Sequence, residues 1–187
     1  MDRSAMTDMG EVSLILAMNV TRSYEEGTLT STQKYYVQNI LDRYGMQDCN
    51  SAHTPGYGPE LSEEQPKVKL LGAQGVKLYQ AIMGSVLYLA QVTRYDICYA
   101  VNQLTRASSK PAMIHMTAPK HLLRYLLIKG SPDLAIVYKK GQFAIHEYTN
   151  ASFAANPDNR RSTTGYVFLL CGAPISFRSK TQTLTAQ

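Results

Sequence analysis

No apolar run in the 187 residues reaches the roughly 18 positions that a membrane-spanning helix needs, so no membrane partner is expected. Behind Met1, Asp2 and Arg3 there is no apolar stretch of the kind a secretory signal carries, which argues against secretion. Cysteine is scarce: Cys49, Cys98 and Cys171 are odd in number and far apart. They read as free thiols of an intracellular chain, in cytoplasm or nucleus, and exclude a disulfide framework. His53, His115, His121 and His146 are as scattered, and none shares a metal-ligand spacing with another or with a cysteine. A phosphate-cradling glycine loop and an adjacent pair of aspartates are both missing. No spacing supports a Ser/His/Asp or Cys/His nucleophile, and nothing points to a small-molecule substrate. Repeats and low-complexity tracts are also absent.

Acidic residues are nearly missing from residues 67–187, which hold four Asp/Glu against fifteen Lys/Arg, a balance of +11. Residues 1–66 hold ten Asp/Glu against four Lys/Arg, a balance of −6 within the overall +5. A basic surface of that strength suits a polyanion, most simply nucleic acid, though an ordinary solvated surface would show the same composition.

The apolar pattern supports three blocks. In residues 14–30 a short apolar run and Thr28-Leu29-Thr30 flank Gly27, which predicts a β-hairpin. Tyr36, Val37, Ile40, Leu41 and Tyr44 recur at helical spacing, with Thr32 as expected cap and Gly45 as stop. Prolines and glycines between 48 and 75 mark a linker, and the charge changes sign near residue 66. Three helices are expected next. The first, over 76–91, buries Tyr79, Ile82, Met83, Val86 and Ala90. Thr93-Arg94-Tyr95-Asp96 has the form of a capping box, Thr93 capping and Asp96 answering, that would open the second. The third is expected to start at Thr117, with Pro119 in its first turn, Leu122, Leu123, Leu126 and Leu127 as its stripe, and Gly130 as its end. Short strands are expected over 134–138, 143–149, 165–170 and 174–177. The fold class is therefore α+β: hairpin plus helix over 1–66, a three-helix bundle over 67–131, and a small antiparallel or mixed sheet over 132–187.

Three groups of residues could carry function. Lys77, Gln80, Gly84, Tyr88 and Gln91 fall in one wedge opposite the apolar stripe of the first of those helices. A mid-helix glycine costs about 1 kcal/mol relative to alanine, and close approach of a backbone would explain it. Glutamine can read minor-groove acceptors and tyrosine can pack on a sugar or base. A plain surface face with an accidental glycine is the alternative. Lys120, His121 and Arg124, with Lys129 beyond, form a basic helix edge that could hold phosphates or could be solvated charge. Asn150 stands on or after a strand in Glu147-Tyr148-Thr149-Asn150-Ala151-Ser152-Phe153, where Glu147 and Asp158 are the nearby carboxylates. Two divalent ions about 4 Å apart need more clustered carboxylates than this segment offers.

In chain order, three stretches resemble the copia-type retrotransposon polyprotein. Thr28 to Tyr36 with Ile40-Leu41-Asp42-Arg43-Tyr44-Gly45 and Thr54-Pro55 is similar to the end of a reverse-transcriptase palm. Tyr79-Gln80-Ala81-Ile82-Met83-Gly84-Ser85-Val86-Leu87-Tyr88-Leu89 with Thr93-Arg94-Tyr95-Asp96-Ile97 is similar to thumb-like helices. Tyr148-Thr149-Asn150-Ala151-Ser152-Phe153 with Arg161-Ser162-Thr163-Thr164-Gly165-Tyr166 is similar to the opening of an RNase H domain. The resemblance covers nearly the whole chain, from about Met6.

The resemblance implies that Gln80, Gly84 and Tyr88 track the minor groove of a template–primer duplex, with low-affinity, salt-sensitive binding of an RNA–DNA hybrid or duplex. It implies that the hairpin helps position the primer, with Ala17 where the family usually has glycine. It also implies Mg²⁺ for an intact family enzyme. The polymerase aspartate pair is expected upstream of this segment and the next RNase H glutamate just beyond Gln187. Asn150 occupies the first RNase H aspartate position, Tyr95 replaces a usual proline, and Pro119 interrupts a usual helix start. These departures imply a non-catalytic remnant without a cofactor of its own. The alternatives are a nucleic-acid-binding module retained by a host, or one piece of a longer active polyprotein.

Overall fold

The computed structural model describes residues 7–8, 10–58, 62, 69–128, 131–141, 143–154, 156 and 158–185. The expected boundary near 66, Lys129, Gly130 and Gln187 lie outside these. The chain begins with β1 (Leu14–Ile15), β2 (Met18–Ser23) and β3 (Thr28–Thr32), followed by helix α1 (Lys34–Arg43). Helices α2 (Ala73–Val92), α3 (Cys98–Thr105) and α4 (Met113–Leu126) come next, then β4 (Ala135–Lys139), β5 (His146–Ser152), β6 (Arg161–Leu170) and β7 (Ala173–Thr185). The class is α+β, with two antiparallel sheets ordered β1-β2-β3-β4 and β5-β6-β7. None of the described helices is long and apolar enough to cross a membrane.

The expected hairpin forms between β2 and β3, with Arg22 opposite Leu29 and Gly27 in the left-handed region at φ +62°. The run over 14–20 is not one strand, however. It folds back at Leu16 and Ala17, both left-handed at φ +49° and +57°, so that Ile15 pairs with Met18. Two consecutive left-handed residues define the tight turn whose twist suits a hairpin, and glycine adopts it with least strain. Ala17→Gly is therefore expected to stabilise the fold by about 1 kcal/mol, read from the midpoint of a urea titration; a loss of stability would sink this account of the turn.

Helix α1 buries Val37, Ile40 and Leu41, the inward side of its periodic pattern. Gln33, not Thr32, precedes its first turn, although the Thr32 hydroxyl accepts from the Lys34 N–H at 3.3 Å. Tyr79, Ile82, Met83, Val86 and Leu89 of α2 meet these residues in one core with Leu122, Leu123 and Leu126 of α4. The helical block is thus packed against α1 through side chains that the stripe of each helix had to bury.

Three expectations need correction. The capping box does not form. Thr93 ends α2, its N–H bonding to the Leu89 carbonyl, and its hydroxyl donates to the buried Gln33 Oε1 at 2.9 Å. Asp96 pairs with Arg94 instead of reaching back to a helix start, and α3 opens after a 3₁₀ turn at Tyr95–Ile97. Second, α4 begins one turn early, at Met113, and Pro119 lies inside it. His115 makes that start possible: its Nδ1 accepts from the Ala112 N–H at 2.9 Å, leaving Nε2–H to donate to the Ser62 carbonyl at 2.8 Å. Third, the strand expected to open the last block completes the first sheet, with Thr28 opposite Lys139 and Thr32 opposite Ala135. Its partner β3 offered an unpaired ladder edge, and β4 fills it.

In the second sheet β5 keeps the expected length but starts three residues later, whereas β6 begins at Arg161 and β7 runs to Thr185, both longer than the sequence suggests. It joins the first where the Lys139 N–H bonds to the Cys171 carbonyl at 2.8 Å and the Tyr138 hydroxyl to the Pro174 carbonyl at 2.8 Å.

Candidate nucleic-acid interface

The outward face of α2 carries the residues singled out above, because its inward stripe leaves every third or fourth position to solvent. Lys77, Gln80, Gly84 and Gln91 are exposed and Tyr88 is half-buried. Gln80 Nε2 donates to the Ser108 carbonyl at 2.9 Å, tying α2 to the 3₁₀ turn Arg106–Ser109. The Tyr88 hydroxyl donates to the Leu16 carbonyl, and its ring meets Tyr36 edge-on, centroids 5.3 Å apart. One face of α2 and the turn between β1 and β2 are therefore joined. A Cβ placed on Gly84 would meet no atom of the described residues within 4 Å, so their packing does not require glycine there.

On α4, Lys120 is exposed, but its neighbours have partners within the chain. Arg124 Nε donates to the Asn50 carbonyl at 2.6 Å, and Ala52 returns a bond from its N–H to the Arg124 carbonyl at 3.1 Å. His121 Nε2 lies 3.0 Å from the Thr54 carbonyl, and its ring packs on Tyr57. This edge straps the 50–57 loop onto α4. Lys120 and Arg124 stay one turn apart on their own helix, separate from the five residues that α2 brings together.

Asn150 lies exposed on β5, opposite Gly165 of β6. Glu147, three residues away along the strand, points to the other sheet face. The Asp158 carboxylate accepts from the Ser62 hydroxyl. No group of three or more His, Cys, Asp or Glu side chains converges among the described residues. A neutral amide whose neighbouring strand carboxylate, Glu147, is on the opposite face, and whose cleft carboxylate, Asp96, is already held by Arg94, does not fit a pair of divalent ions.

The sequence reading missed Arg94. Its guanidinium, 2% exposed, grips both Asp96 oxygens at 2.9 and 2.8 Å. It also donates to the carbonyl and hydroxyl of Ser131 at 3.0 and 2.9 Å and lies over the Tyr125 ring. The Tyr125 hydroxyl completes the set by donating to Asp96 at 3.0 Å. A lone Arg two residues before an Asp gives no warning of this in sequence. Nearby, burial and then the Asp96 charge push the Cys98 thiol up to about 11, and its S–H donates to the Ala90 carbonyl at 2.9 Å. Such a thiol is a packing group rather than a nucleophile.

The chain is similar to the retrovirus-related Pol polyprotein from transposon TNT 1-94 of Nicotiana tabacum, 32% identical over 184 residues, 97% of this chain and 14% of the relative. It is 38% identical over 157 residues to the Pol polyprotein from transposon RE1 of Arabidopsis thaliana, which covers 81% of this chain and 10% of the relative. A protein named for transposon Ty5-1 in Saccharomyces cerevisiae is 32% identical over 94% of this chain and 56% of its own length. The chain thus spans about a tenth to a seventh of the two polyproteins it matches. No family model matches it. No solved structure matches it either. Several Pol polyproteins aligned along most of the chain, with identities of 32–38%, place it in one lineage: it belongs to the Pol polyproteins of copia-type retrotransposons.

Proposed function

We propose that this chain is a part of the Pol polyprotein, spanning the end of the reverse transcriptase and the start of the RNase H region, that holds a nucleic-acid duplex without catalysing its synthesis or cleavage. Gly84 carries the reading. A mid-helix glycine sacrifices about 1 kcal/mol relative to alanine, and no atom of the described residues occupies the space above it. An external backbone approaching α2 would use that space. Lys77 and Gln91 at the ends of the same face supply a cation and an amide, and Gln80 reserves an oxygen. The surplus of Lys/Arg over Asp/Glu in residues 67–187 adds a field that favours a polyanion. Asn150 supports the non-catalytic part, since an amide cannot bridge two Mg²⁺ ions as a carboxylate does.

The test is a titration of a labelled RNA–DNA hybrid with Mg²⁺ at two salt concentrations. Binding should weaken with salt, the logarithmic slope being about −0.9 for each phosphate neutralised, and the RNA should stay intact. Gly84 variants separate binding from folding. Gly84→Ala should raise stability by about 1 kcal/mol, and Gly84→Leu should weaken hybrid binding about tenfold or more by filling the gap. Unchanged binding by Gly84→Leu would remove the groove face; cleavage by the purified chain would remove the non-catalytic reading. The relatives' far greater length favours a second reading, in which the same surface serves inside a longer chain that supplies the missing carboxylates.

A further inference from the structure

The groove reading leaves unused a cleft of about 410 Å³ between the start of α3 and the second sheet. That volume is in the range of small-ligand sites, about 300–1,000 Å³. Tyr95 and Tyr99, four positions apart, line it from the helical side and are 48% and 47% exposed. Tyr148, 62% exposed, and Phe177 line it from the sheet, with the Phe177 ring 5.8 Å from that of Tyr95. Asn150 is also in the lining, and its amide makes no hydrogen bond among the described residues. Its cross-strand neighbour is Gly165, so no side chain stands beside the amide on β6.

Two hydroxyls in the lining mark this as more than a crevice. Thr163, 4% exposed, and Ser179 both have buried side-chain oxygens with no hydrogen-bond partner among the described residues. Buried hydroxyls carry a desolvation cost that an incoming polar edge can relieve. The one carboxylate among the described lining residues is already matched, since both Asp96 oxygens are held by Arg94 and one also by Tyr125. It therefore offers little repulsion to a phosphodiester strand.

Aromatic walls, an amide that both donates and accepts, and unspent hydroxyls complement a nucleobase. Every base presents a π-face for stacking and an edge for paired hydrogen bonds. We infer that this cleft takes an unpaired base of a single-stranded nucleic acid, stacked on Tyr99 and Tyr148 and bonded at its edge by Asn150. The choice of ligand class rests on the nucleic-acid reading above, but the site is distinct from the α2 face. It also gives Asn150 a role as a reader of bases.

The experiment compares a short fluorescein-labelled oligothymidylate with an abasic strand of equal length at one salt concentration, using the full chain. The thymidylate should bind at least about fivefold more tightly, the gain expected from one stacked base. Tyr99→Ala and Asn150→Ala should each shrink that ratio, Tyr99→Phe should keep it, and Tyr148→Ala tests the other wall at an exposed position that unfolding cannot explain. Equal binding of the two strands by the unaltered chain, or a ratio indifferent to Tyr99→Ala, Tyr148→Ala and Asn150→Ala, overturns the inference. Gly84→Leu distinguishes the readings. A base-dependent ratio that persists while hybrid binding ignores Gly84→Leu leaves the cleft standing and the groove face refuted. Loss of the ratio with Gly84-dependent hybrid binding intact does the reverse.

Discussion

Arg94→Ala is expected to lower the unfolding free energy by about 3–5 kcal/mol. The guanidinium is almost wholly buried, and four named donor bonds join the end of α2 to Asp96 and Ser131. Removing it leaves the Asp96 charge with only the Tyr125 hydroxyl and the Ser131 carbonyl with only the Leu134 N–H, takes the guanidinium from the buried Ser131 hydroxyl, and leaves a void beneath the Tyr125 ring. Charge alone does not suffice: Arg94→Lys keeps the cation but loses the planar fork that meets both carboxylate oxygens, so it should fall between wild type and Arg94→Ala. Coupling can be read from a double-mutant cycle with Asp96→Asn, in which the second change should cost much less once Arg94 is gone. Urea titrations followed by far-ultraviolet circular dichroism measure all five proteins, the double variant included. A cost below about 1 kcal/mol for Arg94→Ala would class the pair with surface ion pairs and contradict its burial.

Tyr79→Ala should cost about 3–5 kcal/mol, and Tyr79→Phe only about 1 kcal/mol. Tyr79 is fully buried on the inner side of α2, and its hydroxyl donates to the Leu104 carbonyl at 2.7 Å. Burial holds that hydroxyl well above the usual tyrosine range, so it stays a donor at any ordinary pH. The phenylalanine variant separates the two contributions, since it keeps the ring and abandons only the bond to α3. Thermal melts and urea midpoints should rank wild type, Tyr79→Phe and Tyr79→Ala in that order. Equal losses for the two variants would mean that the bond, and not the volume, anchors α2.

The helices were legible because each has a strong inward stripe; Tyr79, Ile82, Met83 and Val86 are buried as their spacing requires. The hairpin was legible from Gly27. What failed were local signals outbid by distant partners. Thr93 and Asp96 have the spacing of a capping box, but Thr93 finds Gln33 sixty residues away and Asp96 finds Arg94 and Tyr125. Pro119 looked like a first-turn residue because sequence could not show that His115 satisfies the Ala112 N–H a turn earlier. The wedge of Lys77, Gln80, Gly84, Tyr88 and Gln91 was readable from angular position alone. That Tyr88 would be bonded to Leu16, and Arg124 to Asn50, depends on loops whose paths no periodicity encodes.

The pairing of β3 with β4 sets an order of events for the chain as it leaves the ribosome. Thr28 of β3 meets Lys139, and all of α1 to α4 is inserted between the two strands. The hairpin emerges early but must wait, with one ladder edge bare, until more than a hundred further residues have been made. Long-range closure of this kind slows folding, because the loop entropy is lost before the strand contacts repay it. The exposed Lys34–Asp133 ion pair, 2.7 Å apart, sits where β3 passes into α1 and where the chain approaches β4, and is placed to guide that late docking. Helical packing can form first from local contacts, so the bundle serves as the scaffold on which β3, made before it, finally finds its last neighbour β4.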